Sequence, residues 1–438
     1  MHKTFSKIGF WIFIFFLIRL VGITNPPLEK GHNWRQVTGL MVARNYLEVD
    51  ANILHPRIDN NKGETGIIGM EFPSLNYIHY GVAKIFGYTH WYGRLINLII
   101  SSLGLLFFSK IISRFFNHKI ALASTLFLIG SIWFAFSRKM MPDTYCISIM
   151  FIGLYYGIRY LDKGKIINLS LYTLLTSLAI LSKIPAGIYF ALLIPLAFTA
   201  IDRNRKVIVY AVTLIPLTLT YLWYFLWNPY ISETYGSWYN SGKSISVGFS
   251  EIMAHLDMAL KNFYFNSFSS YIILLFFLIG LYHIIRGRDK LLIGSLTALV
   301  FTFLIYMFKS GFFFYHHSYY IIPFVPIMAL VAGYFVGCIK KTWVFVTLIS
   351  FGLIESILNQ QHDFFIKKSE QYKLELESIA DLVSTKNDLI AINGNGNPQQ
   401  IYLSHRKGWL YDNSQIIDNS FIEEIREEGC KYLFINKH

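Results

Sequence analysis

The chain has 438 residues, 54% of them hydrophobic, 17% aromatic and only 15% charged, with a formal net charge of +13. Soluble domains carry about a quarter charged residues, so this composition excludes an ordinary soluble enzyme and indicates a polytopic membrane protein. Cys146 and Cys338 fall in apolar runs and Cys430 stands alone in the tail, which excludes a disulfide framework and a thiolate metal site.

A membrane span needs roughly 20 apolar residues. Candidates lie at 7–24, 91–112, 119–137, 144–161, 167–182, 184–201, 207–227, 268–285, 291–308, 320–339 and 342–357, which makes about eleven transmembrane helices. The first run is expected to remain as a span, since no small-residue cleavage site precedes "NPPLEKGHNWRQ". With a cytoplasmic N-terminus, the inner segments are basic: Lys3 and Lys7; Lys110, Arg114 and Lys119; Arg159, Lys163 and Lys165; Arg203, Arg205 and Lys206; Arg286, Arg288 and Lys290; Lys340 and Lys341. Only Asp162, Asp202 and Asp289 oppose them. The net charge is therefore a topology signal, and nucleic acid is not an expected partner.

Residues 25–90 form the first outer loop, too long for a plain connector. Apolar residues recur at helical spacing in 34–48 (Trp34, Val37, Leu40, Met41, Tyr46, Leu47) and in 74–86 (Leu75, Ile78, Val82, Ile85, Phe86). Both patterns predict amphipathic helices lying in the membrane interface. Residues 138–143, 228–267 and 309–319 also face outward in this topology. The tail from 358 reads as a small α/β unit: a polar helix over 369–384, a strand "DLIAING", a helix "SFIEEIREEG" and a strand "KYLFIN". "NGNGN" is read as a tight turn rather than a phosphate loop. Residues 1–357 are thus expected to form a helical membrane domain, with 25–90 as its functional loop, and 358–438 a small outer domain.

Charged groups at membrane depth are costly and mark candidate sites. His32-Asn33-Trp34-Arg35-Gln36 offers an imidazole, an amide and a guanidinium whose planar fork suits phosphate, although a Trp-Arg pair also anchors to headgroups. Glu71 in "MEFPSLNY" stands at a helix entry, where a carboxylate also complements the dipole. Asp143 in "SRKMMPDTY" is placed to cap the following span while facing the same outer side. Lys183 in "LSKIPAG" is a cation between two short spans, able to meet a phosphate or to snorkel. His316, His317, Tyr319 and Tyr320 open the tenth span; adjacent histidines lack the i, i+4 spacing of a helical metal pair. By this topology, all five places converge on one membrane face.

The order of parts resembles the C-type (GT-C) glycosyltransferase superfamily, among them protein O-mannosyltransferases and the lipid A aminoarabinose transferase. The resemblance is carried by "EFPSLNYIHYGVAKIFG", by "WYGRLINLIISSLGLLFF" with Arg94, by "PDTYCISIMFIGLYYG", "LAILSKIPAGIYFALLIPLAF" and "HHSYYIIPFVPIMALVAGYF", and spans most of residues 7–357. It implies an α-helical polytopic fold with a large first outer loop and a small C-terminal domain. It makes Asp143 an active-site carboxylate, Lys183 a contact for the donor phosphate and Glu71 a polar contact at the cavity rim or a catalytic group. Where the superfamily usually has an acid early in the first loop, this chain has Gly31-His32-Asn33, with Glu29 upstream and Asp50 and Asp59 beyond. The general base therefore stays open among His32, Glu71 and Asp59.

The resemblance implies an inverting glycosyltransferase that moves a sugar from a polyprenyl-phosphate donor to a glycan, lipid or protein acceptor on the outer face of a bacterial inner membrane. Arg35, Gln36, Asp59, Arg94, Lys183, His316, His317 and Tyr319 are the expected substrate contacts, with no cofactor; some members of the superfamily need a divalent cation and others act without one, and metal independence is favoured here. Two other classes fit the composition. A flippase for a lipid-linked glycan would need charges deep in several spans, and the span interiors are nearly free of them. A non-catalytic scaffold binding through its tail would tolerate alanine at every candidate above.

Overall fold

Apolar runs between short basic turns fold as helices, because backbone in hydrocarbon must satisfy its own hydrogen bonds. The structure, a computed structural model, describes residues 7–29, 31–237, 239 and 242–436; Lys3, read above as an inner cation, lies outside them. Each predicted apolar segment is helical over most of its length. Among the described residues, four helices are long and apolar enough to cross a membrane: Tyr92–Phe115, Arg203–Thr234, Lys290–Ser310 and Thr342–Asn359. A further pair, Leu256–Asn266 and Tyr271–Gly287, is bent by 93°. Ile8–Leu20, His118–Gly130 and Val325–Gly337 are shorter than their sequence ranges, whereas Pro142–Lys163 and Ile166–Ser182 fill theirs. The 184–201 run, for example, is a 3-10 helix over Ile184–Leu192, with Pro185 in its first turn, followed by one short turn over Leu193–Leu196.

The chain divides into two compact units. One comprises residues 1–21, 97–223 and 241–362; the other comprises 22–96, 224–240 and 363–438. The division differs from the linear one, since the first loop folds with the tail.

In the helical unit, α1 (Ile8–Leu20) precedes the 97–115 part of α4 (Tyr92–Phe115), then α5 (His118–Gly130) and the short α6 (Trp133–Phe136). Next come α7 (Pro142–Lys163) and α8 (Ile166–Ser182), an antiparallel hairpin. Pro142 suits the first turn of α7, where its missing N–H is not needed. The two helices pack closely through "GLYYG". A Cβ at Gly153 would lie 2.8 Å from the Thr176 side chain, and one at Gly157 would lie 2.7 Å from the Tyr172 ring. Small residues four apart are how membrane helices approach without a hydrophobic driving force. Tyr172 then joins Tyr160, Leu161, Leu169 and Val209 in a buried cluster. The hairpin brings the start of α7 and the end of α8 to the same end, and with them Asp143 and Lys183.

In the second unit, α2 (Asn33–Glu48) and α3 (Ser74–Phe86) fall where helices were predicted, but every residue of α2 from Leu40 to Tyr46 is buried, so α2 is an internal helix and only α3 is amphipathic as expected. Val42, Tyr46 and Tyr80 are buried between them, while Ile78, Ile85 and Phe86 remain exposed along α3, the pattern of a helix lying on a lipid surface. The tail forms a parallel sheet of order β2-β1-β3 from β1 (Leu389–Asn393), β2 (Lys407–Tyr411) and β3 (Cys430–Phe434). Strand β2 was not anticipated: it is short, lies at an edge and contains Lys407 and Gly408. Backbone bonds sew loop to tail, from Lys62 N–H to the Gly408 carbonyl, from Gly408 N–H to the Asp59 carbonyl and from Lys367 N–H to the Leu28 carbonyl. "NGNGN" is a turn, with Asn395 and Gly396 both at positive φ and Asn397 N–H bonded to the Gly394 carbonyl at 2.8 Å.

Candidate active site

The α7–α8 hairpin pairs Asp143 with Lys183. Asp143 lies in the first turn of α7, where the partial positive charge of the helix N-terminus favours a carboxylate. It is not the cap, since Met141 holds that position without a side-chain cap bond. Lys183 ends α8 in an extended conformation, ahead of the break that Pro185 imposes. Its ammonium donates to Asp143 Oδ1 at 2.5 Å, with the side chains only 11% and 5% exposed. Asp143 Oδ2 is buried and accepts no hydrogen bond among the described residues. Such an oxygen is normally satisfied.

Aromatic rings surround the ammonium. Lys183 Nζ lies 4.9 Å from the centre of the Tyr319 ring and 5.6 Å from that of Tyr320, and Tyr320 stacks on Tyr306 at 5.9 Å. His317 stacks on Tyr319 at 5.2 Å, and His316 on Phe312 at 4.9 Å. His316 and His317 thus take part in an aromatic array. The turn before α7 adds Arg138 and Lys139, both almost wholly buried; Arg138 donates to the Val21 carbonyl.

A second set lies at the start of α2 and before α3. Arg35 donates to Glu71 Oε1, and the side chains are 30% and 20% exposed. His32 precedes α2 in the left-handed conformation, with φ 57°. Gln36 is buried and reaches Asn33 Oδ1 at 3.5 Å, while Trp34 is 57% exposed, as an interfacial anchor requires. Burial pushes the Tyr239 phenol above its ordinary pKa; a hydrogen bond with Asn228 opposes this and the nearby Glu71 charge adds to it.

Residues 71–225 match the family model of the dolichyl-phosphate-mannose-protein mannosyltransferases. No curated protein sequence matches the chain. Among solved structures, ArnT from Cupriavidus metallidurans in the apo state superposes with a TM-score of 0.61 at 12% identity, covering 95% of this chain and 88% of that one. ArnT bound to undecaprenyl phosphate gives 0.59 at 12% identity, covering 96% and 89%. The archaeal oligosaccharyltransferase AglB from Archaeoglobus fulgidus, in complex with an inhibitory peptide and a dolichol-phosphate, gives 0.60 at 12% identity, covering 98% and 69%. The chain has the fold of the GT-C glycosyltransferase superfamily.

Within the GT-C fold, two expected substrate contacts turn out to be internal. Asp59 was a candidate base. Its Oδ2 accepts from Arg44 at 2.6 Å and its Oδ1 from Asn45 at 2.8 Å, and the Asp59 and Arg44 side chains are 2% and 6% exposed. The Arg44 guanidinium also donates to the Tyr402 carbonyl and lies over its ring, so the pair fastens the first loop to the tail. Arg94 is buried against Glu29 at 3.6 Å and donates to the Asn25 carbonyl at 2.7 Å. Both Asp59 and Arg94 are thus buried in ion pairs within the chain. Some GT-C enzymes use a divalent cation. Asp143 Oδ1 is answered by an ammonium, and among the described residues no group of three or more His, Cys, Asp or Glu could hold a metal ion.

Asn97, Arg138, Lys139 and Tyr306 were not singled out from the sequence. The adjacent cations in "SRKMMPD" were the one available signal, and Asn97 gave none.

Proposed function

We propose that the protein is a membrane glycosyltransferase that moves a sugar from a polyprenyl-phosphate donor to an acceptor hydroxyl on the outer face of the membrane, with Asp143 as the general base. The reading rests on the buried Asp143 carboxylate, held at one oxygen by Lys183 and without a hydrogen-bond partner at the other among the described residues. A carboxylate within hydrogen-bond reach of a hydroxyl is what base catalysis needs. The acceptor O–H gives its proton to Asp143 Oδ2 as its oxygen attacks the anomeric carbon. The bond from that carbon to the phosphate oxygen breaks, and the electron pair leaves with the polyprenyl phosphate. A single displacement inverts the anomeric centre.

Lys183 serves twice in this scheme: it orients Asp143, and its positive charge favours the phosphate as negative charge grows on the leaving oxygen. ArnT bound to undecaprenyl phosphate and AglB in complex with a dolichol-phosphate support a lipid phosphate as the leaving group. Arg35 and Glu71 form the second polar pair proposed to meet substrate, with His32 and Gln36 beside them. The basic inner segments support periplasmic placement of the first loop and tail in a bacterial inner membrane.

The test is transfer in liposomes from a panel of radiolabelled polyprenyl-phosphate sugars, with membrane extract as acceptor. Label appearing in product with inverted anomeric configuration is expected. Movement of lipid-linked glycan across the bilayer without transfer would replace this reading with a flippase.

A further inference from the structure

Asn97 is wholly buried in α4, and its side chain gathers in the turn that leads to Asp143. Its amide nitrogen faces three backbone carbonyls, those of Phe136 at 3.1 Å, Lys139 at 2.8 Å and Met141 at 3.3 Å. Its oxygen lies 3.0 Å from the Ser101 hydroxyl and 3.1 Å from the Thr144 hydroxyl. The Thr144 hydroxyl is also 3.2 Å from the Phe136 carbonyl.

These partners frame Asp143 on both sides in sequence. Met141 and Thr144 flank the Pro142-Asp143 dipeptide, and the three carbonyls come from the end of α6 and the non-helical stretch between α6 and α7. That stretch leaves α6 at Phe136, whose ring lies 6.0 Å from that of Tyr319, the ring under the Lys183 ammonium. One amide therefore sets the backbone that carries Asp143 and touches the wall beside Lys183. The Phe136 and Lys139 carbonyls already accept the N–H groups of Lys139 and Met141, so the Asn97 amide, sharing its two hydrogens among three carbonyls, adds a second tie to a turn that its own backbone closes.

We propose that Asn97 is a positioning residue for the transfer reaction, holding the 136–144 backbone so that Asp143 Oδ2 meets the acceptor hydroxyl. The inference rests on Asp143 being the base. Asn97 touches no substrate. It acts through Asp143, so its loss lowers turnover and leaves donor binding nearly as it was.

Asn97→Asp tests this, because it keeps the shape and turns the donor that faces the three carbonyls into an acceptor. Donor KM is expected to change less than about threefold, and kcat to fall about 10- to 100-fold, the effect of a small misplacement of a reacting group. In an Asp143→Glu background, whose carboxylate is already displaced, Asn97→Asp should change kcat less than about threefold, well short of its effect alone. Thr144→Ser, which keeps the hydroxyl, should behave as wild type, while Thr144→Val should lose kcat in the same direction; this pair decides the matter if Asn97→Asp does not fold. Wild-type kcat in folded Asn97→Asp would overturn the inference. So would a fall in kcat equal in the wild-type and Asp143→Glu backgrounds. Full activity of Asp143→Asn would instead remove the reading on which the inference rests.

Discussion

Lys183 closes one oxygen of the Asp143 carboxylate and leaves the other buried and open. The two residues are 40 positions apart and meet because α7 and α8 run antiparallel. A buried charge that loses its partner is worse than a pair never made, at about 3–5 kcal/mol. Lys183→Ala is therefore expected to lower thermal stability as well as activity, and Lys183→Arg to recover more of the stability than of kcat. Equal stability of Lys183→Ala and wild type in a melting experiment would contradict the pairing.

Close packing of the hairpin leads to a second expectation. Leucine at 157 would press on the Tyr172 ring, which a mere Cβ already approaches to 2.7 Å. Overpacking costs about 1–3 kcal/mol. It also separates the helix ends that carry the pair. Gly157→Leu should lower kcat in protein that remains folded, whereas Gly81→Leu, at an open position on α3, should not.

Arg44 and Asp59 carry a prediction of the opposite kind. Breaking their buried pair by Asp59→Asn or Arg44→Ala should destabilise the unit that contains the first loop and tail by about 3–5 kcal/mol. Because neither residue is assigned to the chemistry, kcat per folded molecule should stay within about twofold of wild type. A specific loss of kcat in fully folded Asp59→Asn would return Asp59 to the active site.

His79 makes stability depend on pH. Burial lowers its pKa from 6.5 to about 4; the hydrogen bond from Nε2 to the Thr89 carbonyl works against that fall, and His90 adds to it. Its Nδ1 is buried without a partner among the described residues, and the ring stacks on Tyr88. The folded state thus prefers the neutral ring. Its contribution is complete above pH 6.5 and fades as pH falls towards 4, because the unfolded chain takes up the proton first. The loss is on the order of 3 kcal/mol. Melting temperatures between pH 4 and 7 should show this slope, and His79→Gln should flatten it.

Asp143 and Lys183 could be found in the sequence because each sits at a helix boundary marked by a neighbouring proline, Pro142 and Pro185. The limits of α2 and α3 were legible for a similar reason, since their apolar spacing is local. The internal ion pairs of Asp59 and Arg94 were not legible, because a charged residue in a loop does not announce its partner. Arg44 reaches Tyr402 across 358 positions, and no spacing rule covers that distance. Asn97 was invisible for the same cause: an asparagine inside an apolar run has no signature until the carbonyls it gathers are seen. Edge strand β2 escaped because its register is set by pairing with β1, not by alternation of its own residues.

The most direct test of the account is transfer by Asp143→Asn beside wild type, in liposomes with the same donor and acceptor. The account predicts a folded, monodisperse variant whose kcat falls about 10²- to 10⁴-fold, the range for losing a general base. Glu71→Gln should keep a larger share of activity. Transfer by Asp143→Asn at the wild-type rate would contradict the account, and its coincidence with a dead Glu71→Gln would move the base to the first loop.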